Sequence, residues 1–164
     1  MPAMKNTSRE HLELIENYLE SGYEEVFVDL ISGRTDMVMV VDWREYDEEI
    51  VQYCEDILNT KLLTAETVDS DNAQGFELTI IYKDQRVLVP YQGDGADRDT
   101  TIIYLNQILK ADYEIRLCNA SLGSDTLQFL PLANSTWEKL ERRWGRPALE
   151  NCFTPIEMDS CFFG

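Results

Sequence analysis

The chain has 164 residues, 44% of them hydrophobic, with 14 Lys plus Arg set against 31 Asp plus Glu for a net charge of −17. A chain of this size buries roughly 70% of its unfolded surface on folding, so the composition excludes disorder in spite of the charge. It also excludes a basic nucleic-acid-binding module and, because no apolar run approaches the roughly 20 residues needed, a membrane-spanning helix.

Thr7 to Glu10 reads T-x-x-E, a capping box, and Leu12, Ile15, Tyr18 and Leu19 then recur at helical spacing up to Gly22. Residues 23–32 continue on a helical face through Val26, Phe27, Leu30 and Ile31, with Gly33 as the stop, although Val26 to Asp29 also suit an extended run. The apolar run Met37 to Trp43 predicts a strand buried on both faces. Asp47 is then the expected cap of a helix whose buried positions are Ile50, Val51, Cys54, Ile57 and Leu58. Strands are expected over Lys61 to Val68, Phe76 to Tyr82 and Arg86 to Tyr91, the last two joined as a hairpin.

After the loop Gln92 to Arg98, Asp99 or Thr100 is placed to cap a helix carrying Ile102, Leu105, Ile108 and Leu109. Tyr113 to Cys118 and Thr126 to Leu132 form a further strand pair, across which Arg116 and Asp125 are expected to meet. A second capping box, Ser135 to Glu138, opens a helix with Trp137, Leu140 and Trp144 on one stripe and Gly145 at its end; Pro147 suits the first turn of a short terminal helix. There is no internal repeat and no linker. The expectation is one α+β domain over residues 1–164, with a mixed or antiparallel sheet and helices packed mainly on one face.

Catalytic patterns are sparse. His11 is the sole histidine and has no nucleophile pattern near it, and no Walker, G-x-S-x-G or dinucleotide fingerprint occurs. Cys54, Cys118, Cys152 and Cys161 contain no C-x-x-C pair, so reduced, mostly buried thiols are expected and no cofactor is. Asp94, Asp97 and Asp99 are close enough to gather a hard cation but lack EF-hand spacing; Asp69 with Asp71 is a weaker set. Asp36, Asp42 and Asp47 flank the apolar strand, where metal-dependent hydrolases place carboxylates. With so many acidic residues such groupings arise by chance, so a small metal-dependent hydrolase is the alternative reading and a binding protein the main one.

The charge is uneven. Residues 1–82 hold 5 basic and 19 acidic side chains, net −14, whereas residues 83–164 hold 9 and 12, net −3. Solubility alone asks for roughly 2 to 8 charges spread anywhere, so the asymmetry points to a basic partner, although a solvated surface gives the same composition. The candidate partner-binding residues are Glu10, Glu13, Glu16, Glu20 and Glu24 on the first helices and Glu48, Glu49 and Asp56 on the third. If these helices share a sheet face, their solvent sides merge into one negative field. A basic toxin, a nuclease or a nucleic-acid-binding protein would fit it, and nucleic acid itself would not. Arg142, Arg143 and Arg146 complement a helix C-terminus or meet the acidic half of a second copy in a homodimer. Trp43, Trp137 and Trp144 read as core.

Small acidic chains without catalytic motifs resemble bacterial immunity proteins, which neutralise secreted toxins. That resemblance lies in size, charge and class, and implies inhibition by occupancy. The segment from Tyr113 to Cys118 through Ser124 to Leu132 also resembles a hairpin of uncharacterised bacterial proteins, which implies a shared fold and no activity. The leading segment MPAMKNTSREH lacks the apolar stretch of a signal peptide, so a cytoplasmic location is expected.

Overall fold

The computed structural model describes residues 8–42, 44–91 and 97–162. In chain order the elements are α1 (Arg9–Ser21), α2 (Glu24–Leu30), β1 (Met39–Asp42), α3 (Asp47–Leu58), β2 (Leu63–Asp69), β3 (Phe76–Tyr82) and β4 (Gln85–Leu88). They continue through α4 (Arg98–Leu109), β5 (Tyr113–Cys118), β6 (Thr126–Ala133), α5 (Asn134–Trp144), α6 (Arg146–Cys152) and β7 (Phe153–Pro155). The fold is α+β, and both sheets are antiparallel: a four-stranded one ordered β1-β6-β5-β7 and a three-stranded one ordered β2-β3-β4.

Alternation along β6 shows how the layers are built. Leu127 and Phe129 join a core with Ile50, Val51 and Cys54 of α3, Ile102 and Leu105 of α4, and Leu78 and Ile80 of the smaller sheet. Leu130 and Leu132 face the other way, into a core with Ile15 and Tyr18 of α1, Phe27 of α2, Trp137 and Leu140 of α5, and Leu149 of α6. A strand's side chains point alternately to opposite faces, so four helices cover one side of the larger sheet while α3 and α4 fill the other and are capped by the smaller sheet. Ring contacts knit the four-helix side: Tyr18 lies 5.3 Å from Phe27 and 5.7 Å from Phe153, which is 5.7 Å from Trp137.

Helix starts differ from the sequence expectation in consistent ways. Thr7 lies outside the described residues, and Ser8 is the cap of α1, its Oγ accepting from the His11 amide at 3.1 Å. Asp47 is not a cap: Tyr46 holds that position without a side-chain bond, and Asp47 is turned into the protein. In α4 the cap is Asp97, which accepts from the Thr100 amide at 3.1 Å. Helix α5 starts at Asn134, ahead of the expected capping box, because Asn134 is fixed from outside the helix. Its amide donates to the Asp112 carbonyl at 3.0 Å and its Nδ2 to the Lys110 carbonyl at 2.9 Å.

The apolar run after Asp36 is not a strand buried on both faces. Met37 and Val38 are buried within a turn, and only Met39–Asp42 is extended, as an edge strand paired with β6. Trp43 lies outside the described residues. Trp137 is core, its Nε1 donating to the Glu114 carbonyl at 2.8 Å, and Trp144 is half-buried beside it. Arg116 does not pair with Asp125, since the register sets it opposite Leu130. It stacks over Trp137 at 4.4 Å and donates to Glu114 at 3.0 Å.

Candidate functional site

The acidic residues singled out from the sequence fall into three groups. Helices α1 and α3 pack on opposite faces of the larger sheet and approach each other only at its β1 edge, where Ile15 and Leu58 line one cavity. Helices α1 and α2 do share a side. At their junction Glu20, Glu24, Glu25 and Asp29 are all exposed, and none is ion-paired among the described residues. Tyr23 and Val28 stand among them, 69% and 57% exposed. Glu24, Glu25, Val28 and Asp29 line a shallow groove of about 420 Å³. Exposed tyrosine and aliphatic side chains with charge around them are common features of protein-binding surfaces.

The rest of α1 is more committed. Glu13 lies 3.8 Å from Arg9 and Glu10 3.5 Å from Arg34, while Glu16 is largely buried beside Arg143 at 3.7 Å. Arg146 is held by Glu141 at 2.8 Å, so two of the three arginines in the basic cluster are engaged within the chain. His11 Nε2 donates to Asp36 at 2.9 Å, and Arg34 grips the same carboxylate through Nε and Nη2. The Arg34 hydrogen bond is the main reason that the Asp36 carboxyl is held below its ordinary value. These groups stand at the mouth of a small apolar cavity of about 110 Å³, lined by Ile15, Met37, Ile57, Leu58 and Leu130. Asp56, at the far end of α3, lines a groove along β1 with Asp36 and Tyr53.

The most chemically defined feature lies where the N-termini of α3 and α4 meet the β2–β3 turn. Asp47 is 3% exposed and accepts from Arg98 Nη1 at 3.0 Å and from Thr101 Oγ1 at 2.5 Å. A hydroxyl has one proton to give, so Thr101, having given its proton to Asp47, receives that of Tyr91 across 2.7 Å. Burial is the largest influence on Asp47 and pushes its carboxyl above the ordinary value, against the pull of Thr101 and Arg98. Above this floor is a cleft of about 400 Å³, lined by Tyr46, Glu48, Thr67, Asp69, Gln74 and Arg98 among others. Arg98 Nε and Gln74 Nε2 are buried and have no partner among the described residues. Sequence reading gave Asp47 a capping role and passed over Arg98 and Gln74, whose meeting depends on contacts too distant along the chain to leave a local signal.

Among the described residues the aspartates singled out from the sequence are not gathered into a metal site. Asp94 lies outside the described residues; Asp97 caps α4, and Asp99 accepts from the Phe162 amide at 2.9 Å. Asp36, Asp42 and Asp47 each keep their own arginine, namely Arg34, Arg44 and Arg98. Among the described residues no group of three or more His, Cys, Asp or Glu is arranged to hold a metal ion, and no helix is long and apolar enough to cross a membrane. No protein-family model, curated protein or solved structure matches this chain.

Proposed function

We propose that this chain is an acidic binding protein of the immunity type, which inhibits a basic toxin, nuclease or nucleic-acid-binding protein by occupying its cationic surface. The observation that carries the reading is the α1–α2 junction, where exposed Tyr23 and Val28 stand among the carboxylates Glu20, Glu24, Glu25 and Asp29. Carboxylates with no ion pair among the described residues keep their field for a partner and steer its approach, and the tyrosine offers a rigid anchor that loses little entropy on binding. A surface that binds phosphate presents the complementary charge. The free thiols Cys54, Cys118, Cys152 and Cys161 go with a reducing, cytoplasmic setting.

Affinity capture from native cells tests this with two baits, the native chain and a Tyr23→Ala, Glu24→Lys, Glu25→Lys variant. The expected result is a basic protein held by the native chain at low salt, released at high salt and absent from the variant. Equal capture by both baits, or no basic protein at low salt, would contradict the reading.

A further inference from the structure

Among the described residues four strands stand at sheet edges, and three of them are short. β1 and β4 have four residues each, and β7 has three and ends in Pro155. The fourth, β2, has seven residues and no proline, and every residue from Thr64 to Asp69 except Ala65 is exposed. A long open edge offers its amides and carbonyls to another strand, which is why most proteins keep their edges short or blocked.

The register shows which groups are on offer. The Ser70 amide donates to the Gly75 carbonyl at 3.1 Å, and bonded pairs alternate along an antiparallel ladder, so Thr64, Glu66 and Val68 are the residues that bond β3. The Leu78 carbonyl, opposite Thr67, instead accepts from Val89 on the β4 side at 2.9 Å. The amides and carbonyls of Ala65, Thr67 and Asp69 therefore point away from β3, and among the described residues no hydrogen bond reaches those three amides. The Leu63 amide is taken by Thr60 Oγ1 at 3.1 Å, so the open row of donors starts at Ala65.

The surroundings say what would fit. Leu63 is buried and Ala65 packs on the same core, whereas Thr64, Glu66 and Val68 face solvent, with Val68 65% exposed. Helix α3 packs against the inner side of β2. Its Glu48 shares a cleft with Thr67 and Asp69, and its Glu55 accepts from the Thr60 and Lys61 amides where β2 begins. Among the described residues Glu48, Glu55 and Asp69 make no ion pair. A second copy would bring the same carboxylates to this edge on a chain of net charge −17, so the electrostatics oppose self-pairing. We propose that β2 accepts an extended basic segment of another protein as an added strand, its main chain paired with Ala65 and Thr67. Residues directly opposite one another in a ladder point to the same face, so its cationic side chains turn towards Glu48, Glu55 and Asp69 and its apolar ones lie beside Val68. This edge is across the larger sheet from the α1–α2 junction and does not depend on the role given to that surface.

The test uses the full chain and a capped seven-residue peptide alternating valine and lysine, with amide hydrogen exchange followed by nuclear magnetic resonance. In the free chain the Ala65 and Thr67 amides should exchange fast, and those of Thr64, Glu66 and Val68 slowly. Saturating peptide should slow Ala65 and Thr67 about tenfold or more. In the added strand the lysines carry the backbone groups that face β2, so N-methylating the lysine amides should abolish this protection and N-methylating the valine amides should leave it. A peptide alternating valine and glutamate should give none. Binding that leaves Ala65 and Thr67 exchanging fast, or equal protection from the lysine-methylated or the glutamate peptide, would overturn the proposal. Slow exchange of Ala65 and Thr67 in the free chain would overturn it too, in favour of a second copy if the protection grows with protein concentration and of an edge already covered if it does not.

Discussion

Thr101 serves the buried Asp47 and the half-buried Tyr91 through one hydroxyl, giving its proton to Asp47 and receiving that of Tyr91. Thr101→Val keeps the shape and removes both bonds, leaving a buried carboxylate with Arg98 alone. The expected loss is about 1 to 3 kcal/mol in urea unfolding. Asp112 makes a second residue-scale case. Lys83 Nζ and the Tyr82 hydroxyl both approach it at 2.7 Å, and these bonds, that of Lys83 first, hold its carboxyl below the ordinary value. A carboxyl depressed in the folded state stabilises the protein above its unfolded pKa, and that stability is lost as pH falls through the folded value. Asp112→Asn should therefore lower stability at neutral pH by about 1 kcal/mol. The gap between the variant and native unfolding curves should close as pH drops below about 4.

At the scale of elements, Gly145 joins α5 to α6 with φ 87° and ψ 148°, a conformation essentially confined to glycine. An added Cβ would meet nothing nearer than Pro147 Cδ at 4.0 Å, so Gly145→Ala tests backbone strain alone. It should cost about 1 to 3 kcal/mol in thermal or urea unfolding, with little change in the spectrum of the folded protein. This glycine was legible in the sequence as a stop, as were the bounds of β3 and β5, where β-rich composition meets clear turn residues. Residues 37–42 were not, because a nearly continuous apolar run has no period, and turn and edge strand bury it equally well. Strand β7 left no trace, since three residues ending in Pro155 pair with β5 only once α6 has delivered them there. The cleft was hidden for a related reason: Asp47 and Arg98 are 51 residues apart, and nothing local to either announces the other. The acidic character of α1 and α2 was plain from composition, but which carboxylates stay unpaired depends on where Arg34 and Arg143 arrive.

Over the whole molecule, placing α1 and α3 on opposite faces of one sheet divides the N-terminal charge between two sides. On the proposed reading the α1–α2 junction carries the partner field, and Glu16, tied to Arg143, belongs to the fold more than to that field. The direct measurement is the rate at which the captured partner associates with the native chain and with a Glu20→Lys, Glu24→Lys, Glu25→Lys variant, across a range of salt. All three positions are exposed, so the variant should fold with changes within about 0.5 kcal/mol per site. The account predicts a native association rate that falls steeply as salt rises, because exposed charges farther apart than about 8 Å are screened at physiological ionic strength. It predicts a variant rate about tenfold lower or less at low salt, with a much flatter salt dependence. Identical association rates for the two chains at every salt concentration would contradict it.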